Sequence, residues 1–181
     1  MGKRMKAIPE RLKTFIENQK IFFVGTAAPS GRVNVSPKGT DSFRVIDENK
    51  IVWLNLTGSG NETAAHLLQN DRMTIMFCAF DGNPLILRLY GNAKIYHQRD
   101  TEYDTYINMF PEAPSARQIV EMKVDLVQTS CGFGVPFMEY KDERHLFEPW
   151  AAAKGEDGLQ EYWEKKNTES IDGFETGILG N

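Results

Sequence analysis

Short polar turns set between apolar runs constrain this chain most. Asp47-Glu48-Asn49-Lys50 joins an apolar run at residues 42–46 to another at 51–56. Asp81-Gly82-Asn83-Pro84 joins residues 72–80 to 85–96 in the same way. Turns this tight link antiparallel neighbours, and a series of hairpin-linked strands favours closure into a barrel. A doubly wound sheet needs a helix between most strands. Only one central helix, at residues 61–70, is read here. The predicted class is therefore mainly β with peripheral helices, in one domain spanning residues 1–181. A helical C-terminal extension is expected from about residue 141 to 181.

The stretch from Ile51 to Asn70 carries the first chemical signal. Ile51-Val52-Trp53-Leu54-Asn55-Leu56 reads as a buried strand and empties into Thr57-Gly58-Ser59-Gly60-Asn61-Glu62-Thr63. Helical spacing follows at Ala64-Ala65-His66-Leu67-Leu68. A strand, a Gly/Ser/Thr turn and a helix start aim free N–H groups at one spot, where the helix dipole favours an anion. Hydroxyls of Thr57, Ser59 and Thr63 add donors, so a phosphate is the expected guest. The competing reading is a helix cap at Ser59 or Asn61 with relaxed glycines. The turn is neither a Walker loop nor a Gly-x-Gly-x-x-Gly fingerprint.

Upstream, Val33-Asn34-Val35-Ser36-Pro37-Lys38-Gly39 reads as a short strand that ends where Pro37 interrupts pairing. Lys38 at its end is placed to meet a phosphate as a point charge. On residues 85–91, period two puts Ile86, Arg88 and Tyr90 on one face. Arg88 there needs an anionic partner or a path to water. Residues 99–109 and 115–122 read as helices, and residues 123–130 as a strand. That strand ends in Cys131-Gly132-Phe133-Gly134, whose glycines suggest either close backbone approach beside a ligand or an ordinary Gly-Pro turn with a buried thiol.

The order of these pieces resembles the pyridoxamine 5′-phosphate oxidase-related family of FMN-binding split barrels. It is carried by the helix near Ile8, the strand Phe22-Phe23-Val24-Gly25-Thr26 and the segment Val33 to Gly39. Trp53-Leu54-Asn55, Asn61-Glu62-Thr63-Ala64 and Leu87-Arg88-Leu89-Tyr90-Gly91 complete it. The resemblance implies a split β-barrel and an FMN cofactor. It places Asn34, Val35, Ser36 and Lys38 along the flavin, with Lys38 at the phosphate. Trp53, Leu54 and Asn55 would border the flavin, and Thr57, Ser59, Asn61 and Thr63 would supply phosphate contacts. Arg88 and Cys131, read from their own strand and turn rather than from the resemblance, join the expected cofactor set. This chain departs from the true oxidase at Asn61-Glu62-Thr63, where that enzyme has Ser-Arg-Lys. It also lacks the oxidase's basic residue near Val33. The family implies a homodimer with flavin near the subunit interface.

Composition excludes several other classes. Lys and Arg number 21 against 25 Asp and Glu, a formal charge of −4, so the basic field needed for nucleic acid is absent. No apolar run reaches bilayer length, and no membrane partner is expected. The basic first six residues lead into an amphipathic helix rather than a signal-peptide core, so a cytoplasmic location is expected. Two cysteines, Cys78 and Cys131, form no disulfide framework. His66, His97 and His145 lie on separate elements, and no zinc spacing arises. The tail at residues 141–166 reads as helical, broken at Phe147-Glu148-Pro149-Trp150, and residues 167–181 read as poorly ordered at their end. Function then narrows to an FMN-dependent oxidoreductase acting on a small molecule, with no protein acid–base pair evident. The alternatives are a non-catalytic flavin-binding or storage protein, or a split barrel for another planar ligand such as haem.

Overall fold

The computed structural model describes residues 2–180. Eight strands form one antiparallel sheet: β1 (Arg4–Met5), β2 (Phe22–Thr26), β3 (Asn34–Lys38), β4 (Phe43–Asp47), β5 (Lys50–Leu56), β6 (Arg72–Cys78), β7 (Ile86–His97) and β8 (Ala116–Ser130). Their order is β3-β2-β6-β7-β8-β5-β4, with β1 also paired to β8. Four helices decorate it: α1 (Glu10–Glu17), α2 (Glu62–Gln69), α3 (Thr101–Ile107) and α4 (Phe147–Lys166). Both expected hairpins are present, β4–β5 and β6–β7.

Burial explains why these runs are strands. Ile51 and Trp53 of β5 enter the main core with Phe22, Ile75, Phe77, Leu87, Leu89, Val120 and Met122. Val52 and Leu54, one residue out of phase, pack in a second cluster with Tyr103, Phe110 and Ile119 beneath α3. A strand covered on both faces reads as a continuous apolar run, not an alternation. Phe22, Phe43 and Phe77 hold the open edges together, with ring centroids 4.9 Å apart for Phe22–Phe43 and 5.2 Å for Phe43–Phe77. Edge-on aromatic pairs at this spacing add about 0.5–1.5 kcal/mol each beyond their buried area. Where β7 and β8 slip register after Tyr90, a side chain at Gly91 would meet the Lys123 carbonyl.

Two expectations are corrected. Residues 115–122 are not a helix: they are Ser115 and the start of β8. Ala116-Arg117-Gln118 and Glu121-Met122 favour a helix locally. The tertiary context overrides them, because β8 pairs with β7 on one side and β5 on the other. Residues 141–146 are not helical either. Phe147-Glu148-Pro149-Trp150 opens α4 rather than breaking a helix, with Pro149 in the first turn where its missing N–H costs nothing. Gly155, at φ 66°, kinks that helix. The arm that follows packs in part, with Asn167, Ser170, Thr176 and Ile178 buried; the expectation of poor order concerned its end, whose last residue, Asn181, lies outside the described residues. Arg99 fastens this arm by donating to the carbonyl oxygens of Ile178 (2.8 Å) and Gly177 (2.6 Å).

Candidate functional site

An open cavity of about 980 Å³ lies between the end of β3, the outer face of β5 and the start of the C-terminal extension. Its inner wall is Pro37, Lys38, Leu54, Leu56, Thr57, Gly58 and Ser59. Its outer wall comes from the segment Asp142 to Phe147 and from Trp150 and Tyr162.

Lys38 is the charged centre of this site. Its Nζ donates to Asn55 Oδ1 at 3.3 Å and sits 5.1 Å from the centre of the Trp53 ring. No carboxylate pairs with it among the described residues. Burial, reinforced by the nearby Arg117 guanidinium, pushes its pKa down from 10.5 to about 8. A half-buried cation without a counter-ion is costly, and an incoming anion would supply the missing partner.

The Thr57–Thr63 turn is partly free and partly occupied. The amides of Gly58, Ser59 and Gly60 donate to no protein acceptor among the described residues. Gly58 and Ser59 face the cavity. The turn's back, however, is held by the C-terminal arm. The Thr57 hydroxyl donates to the Ser115 carbonyl (2.9 Å) and accepts from Trp163 Nε1 (2.9 Å). Asn167 is fully buried and donates to the Gly58 carbonyl at 3.1 Å. Its own carbonyl accepts from Asn61 Nδ2 (3.4 Å) and the Thr176 hydroxyl (2.5 Å). Glu62 is engaged by the Ile171 amide.

Behind the turn lies Arg117, a buried residue on β8 that the sequence reading missed. Its Nη1 donates to Gly60 O (3.1 Å) and Asn167 Oδ1 (2.5 Å), while Nε has no partner. Burial lowers its pKa to about 10. A charged residue inside Ala-Arg-Gln-Ile-Val was the available signal, but the segment reads locally as a helix. The arginine clamps the turn to the arm and adds positive potential beside Lys38.

The other expected residues divide into groups. Trp53 is buried beneath the Lys38 ammonium, and Leu54 lines the cavity. Asn34, Ser36 and Thr63 form a separate polar cluster. Asn34 Nδ2 donates to Thr26 Oγ1 (3.1 Å) and Thr63 Oγ1 (3.3 Å), Ser36 donates to Asn34 Oδ1, and Thr26 meets His66 Nδ1 at 3.1 Å. Asn61 is buried behind the turn, with its Oδ1 unpartnered. Val35 points away from Asn34, Ser36 and Lys38 and is 66% exposed. Arg88 reaches Ser130 Oγ at 3.3 Å, and Cys131 is exposed. Neither lines this cavity.

A single antiparallel sheet curled around an aromatic core, with a cavity at the end of β3, defines a split β-barrel. The model of the pyridoxamine 5′-phosphate oxidase family matches residues 8–131. A pyridoxamine 5′-phosphate oxidase family protein of Aspergillus flavus, ustO, is 34% identical over 189 residues, covering 93% of this chain and 75% of that protein. Solved structures share the fold at lower identity. A Lactobacillus delbrueckii protein provisionally assigned as a pyridoxamine 5′-phosphate oxidase is 17% identical with a TM-score of 0.54, covering 68% of this chain and 94% of that one. HupZ of Group A Streptococcus is 17% identical with a TM-score of 0.51, covering 65% and 91%. The chain belongs to the pyridoxamine 5′-phosphate oxidase family.

Proposed function

We propose that this protein is an FMN-dependent oxidoreductase whose cavity holds the flavin, with the phosphate at Lys38. The observation that carries the reading is the half-buried, carboxylate-free Lys38 ammonium with the unengaged amides of Gly58, Ser59 and Gly60. A cation and a run of backbone N–H groups at a helix start are the donors a phosphate needs. The cavity volume suits a flavin, and Pro37, Leu54 and Leu56 offer apolar walls for a planar ring. Bound flavin would supply two-electron redox chemistry. The residues of this chain bind it, orient it and exclude water.

The phosphate contacts are reassigned relative to the sequence expectation. Lys38, Ser59 and the turn amides meet the anion. The hydroxyls of Thr57 and Thr63 and the Asn61 Nδ2 are engaged in internal bonds and hold the turn in place. Asn34 and Ser36 brace β3 against α2. With Asn61-Glu62-Thr63 in place of the oxidase's Ser-Arg-Lys, the site has fewer cations for the phosphate. The small-molecule substrate is framed by the arm's Phe147, Trp150 and Tyr162.

A homodimer completes the proposal. Val33, just before the free edge strand β3, is 71% exposed and Val35 on it is 66% exposed, and Phe133, Phe137 and Met138 are exposed after β8. A second copy covering this surface would bring Arg88 or Cys131 towards a partner's flavin. Sedimentation of the flavin-bound protein as a stable monomer would contradict it. The proposed compartment is the cytoplasm, consistent with two free cysteines. No helix among the described residues is long and apolar enough to cross a membrane.

The test is the absorbance spectrum of purified protein, the mass of the released chromophore, and bleaching under anaerobic reduced nicotinamide. A released FMN that bleaches supports an oxidoreductase. Bound FMN that resists every reductant supports storage instead, and a colourless protein that does not take up FMN refutes the reading.

A further inference from the structure

Three buried polar side chains stand in one row across the sheet, and nothing in the proposed chemistry requires them. Asn55 on β5 lies directly opposite Gln118 on β8, and Gln118 lies directly opposite His97 on β7. Barrel closure brings Lys38, from the far edge of the sheet, onto the end of this row. The bonds run from Lys38 Nζ to Asn55 Oδ1 (3.3 Å), from Asn55 Nδ2 to Gln118 Oε1 (3.1 Å), and from Gln118 Nε2 to His97 Nδ1 (3.4 Å). Exposure is 1% for Asn55, 0% for Gln118 and 8% for His97.

The chemistry of the lysine sets the direction of the whole row. An ammonium only donates, so Asn55 must present its oxygen. The Asn55 nitrogen then faces Gln118, which must present its own oxygen there and its nitrogen to His97. His97 must accept at Nδ1 and carry its proton on Nε2. A neutral imidazole meets that requirement, and burial, with Arg99 and Arg117 nearby, pushes the His97 pKa down to about 4 against the opposing Asp100 carboxylate. Each member has one acceptable orientation, and a reversal at either end would turn the Asn55 NH2 onto the ammonium.

We propose that Asn55, Gln118 and His97 act as positioning residues that hold the Lys38 ammonium in register for the anionic group of the cavity's ligand. The inference rests on the reading of the cavity as a phosphate-binding flavin site. The row fixes a carbonyl dipole against the ammonium, which favours the charged amine and defines where its remaining N–H donors point. The competing account is that the three amide and imidazole groups merely satisfy one another. It predicts lost stability without a change at Lys38.

The test uses the apoprotein with three variants. Gln118→Met conserves volume and removes both bonds. His97→Leu removes the terminal acceptor, and His97→Asn keeps an acceptor at the δ position. Affinities for FMN and for riboflavin are read by flavin fluorescence quenching. The titration of the Lys38 ammonium is followed by NMR on protein labelled with 15N-lysine. Loss of one aligned hydrogen bond to the phosphate's cation should weaken FMN about threefold to tenfold in Gln118→Met and His97→Leu, with riboflavin changed less than about twofold. The Lys38 midpoint should fall in both and return towards wild type in His97→Asn. Equal losses for FMN and riboflavin, or a Lys38 midpoint unmoved in Gln118→Met and His97→Leu, would overturn the proposal. The NMR experiment needs no ligand: a wild type that binds no FMN sinks the flavin reading, whereas the Lys38 midpoint decides the row. If Gln118→Met does not fold, the His97 pair at the outer end of the row carries the same comparison.

Discussion

Replacing Lys38 by Met should stabilise the empty protein while damaging its ligand site. In the unfolded chain a lysine titrates near 10.5; in the fold, burial and Arg117 bring Lys38 to about 8. Between these values the unfolded chain holds a proton that the folded chain lacks, so stability rises as pH climbs from about 8 to about 10.5. Below pH 8 the penalty is present in full. At 1.36 kcal/mol per pKa unit, that gap corresponds to about 3 kcal/mol. Methionine keeps the stem over Trp53 but gives up the contact between the ammonium and the ring, about 0.5–1 kcal/mol, and the bond to Asn55. The net expectation at pH 7 is a gain of about 1–3 kcal/mol. Urea unfolding of wild type and Lys38→Met at pH 7 and at pH 10.5 measures it. The gain should shrink towards zero at the higher pH. A variant less stable than wild type at pH 7, or a gain independent of pH, would refute the account of Lys38 as a half-buried cation awaiting an anion.

Two further outcomes test the surroundings of the site. Asn167→Ala removes the group that ties Arg117, Gly58 and the arm together, and should lower stability by about 2–4 kcal/mol in urea, because it leaves a buried guanidinium short of an acceptor; a loss under about 1 kcal/mol would count against the clamp. His97, held down near 4 in the fold against 6.5 when unfolded, should make stability fall as pH drops from about 6.5 to about 4 and then level off. His97→Asn should flatten that part of the profile, and urea midpoints at pH 4, 5.5 and 7 would show an unchanged slope if His97 is not its source.

The legible parts of the fold were those governed by local rules. The turns Asp47–Lys50 and Asp81–Pro84 specify hairpins through a few residues, and β5 announces itself by its apolar run. Lys38, Leu54 and Ser59 are close to one cavity because strand ends and turns gather there in the chain order the family resemblance carries. What the sequence hid depends on distant pairing. Arg117 and Gln118 sit in a segment with high helix propensity, and only the strands on either side make it β8. The Gly-rich composition of the C-terminal arm says nothing of Asn167 entering the back of the Thr57–Asn61 turn. The sequence offers the hydroxyl of Thr57 as a phosphate donor, yet whether it faces a ligand or the indole of Trp163 is decided more than 100 residues away. Val35 shows the opposite limit: period two already places it opposite Asn34 and Ser36, so its place in the expected cofactor set rested on strand membership alone.

The central claim, that Lys38 and the turn amides form a phosphate site for a flavin, is tested most directly by comparing FMN and riboflavin on the wild-type apoprotein. The two ligands share the ring and the ribityl chain and differ in the phosphate. Charge-assisted bonds contribute about 1.5–3 kcal/mol each, so FMN should bind at least about tenfold more tightly. The advantage should decline as pH rises through about 8, where Lys38 loses its proton. Equal affinity for the two flavins at pH 7 would contradict the account.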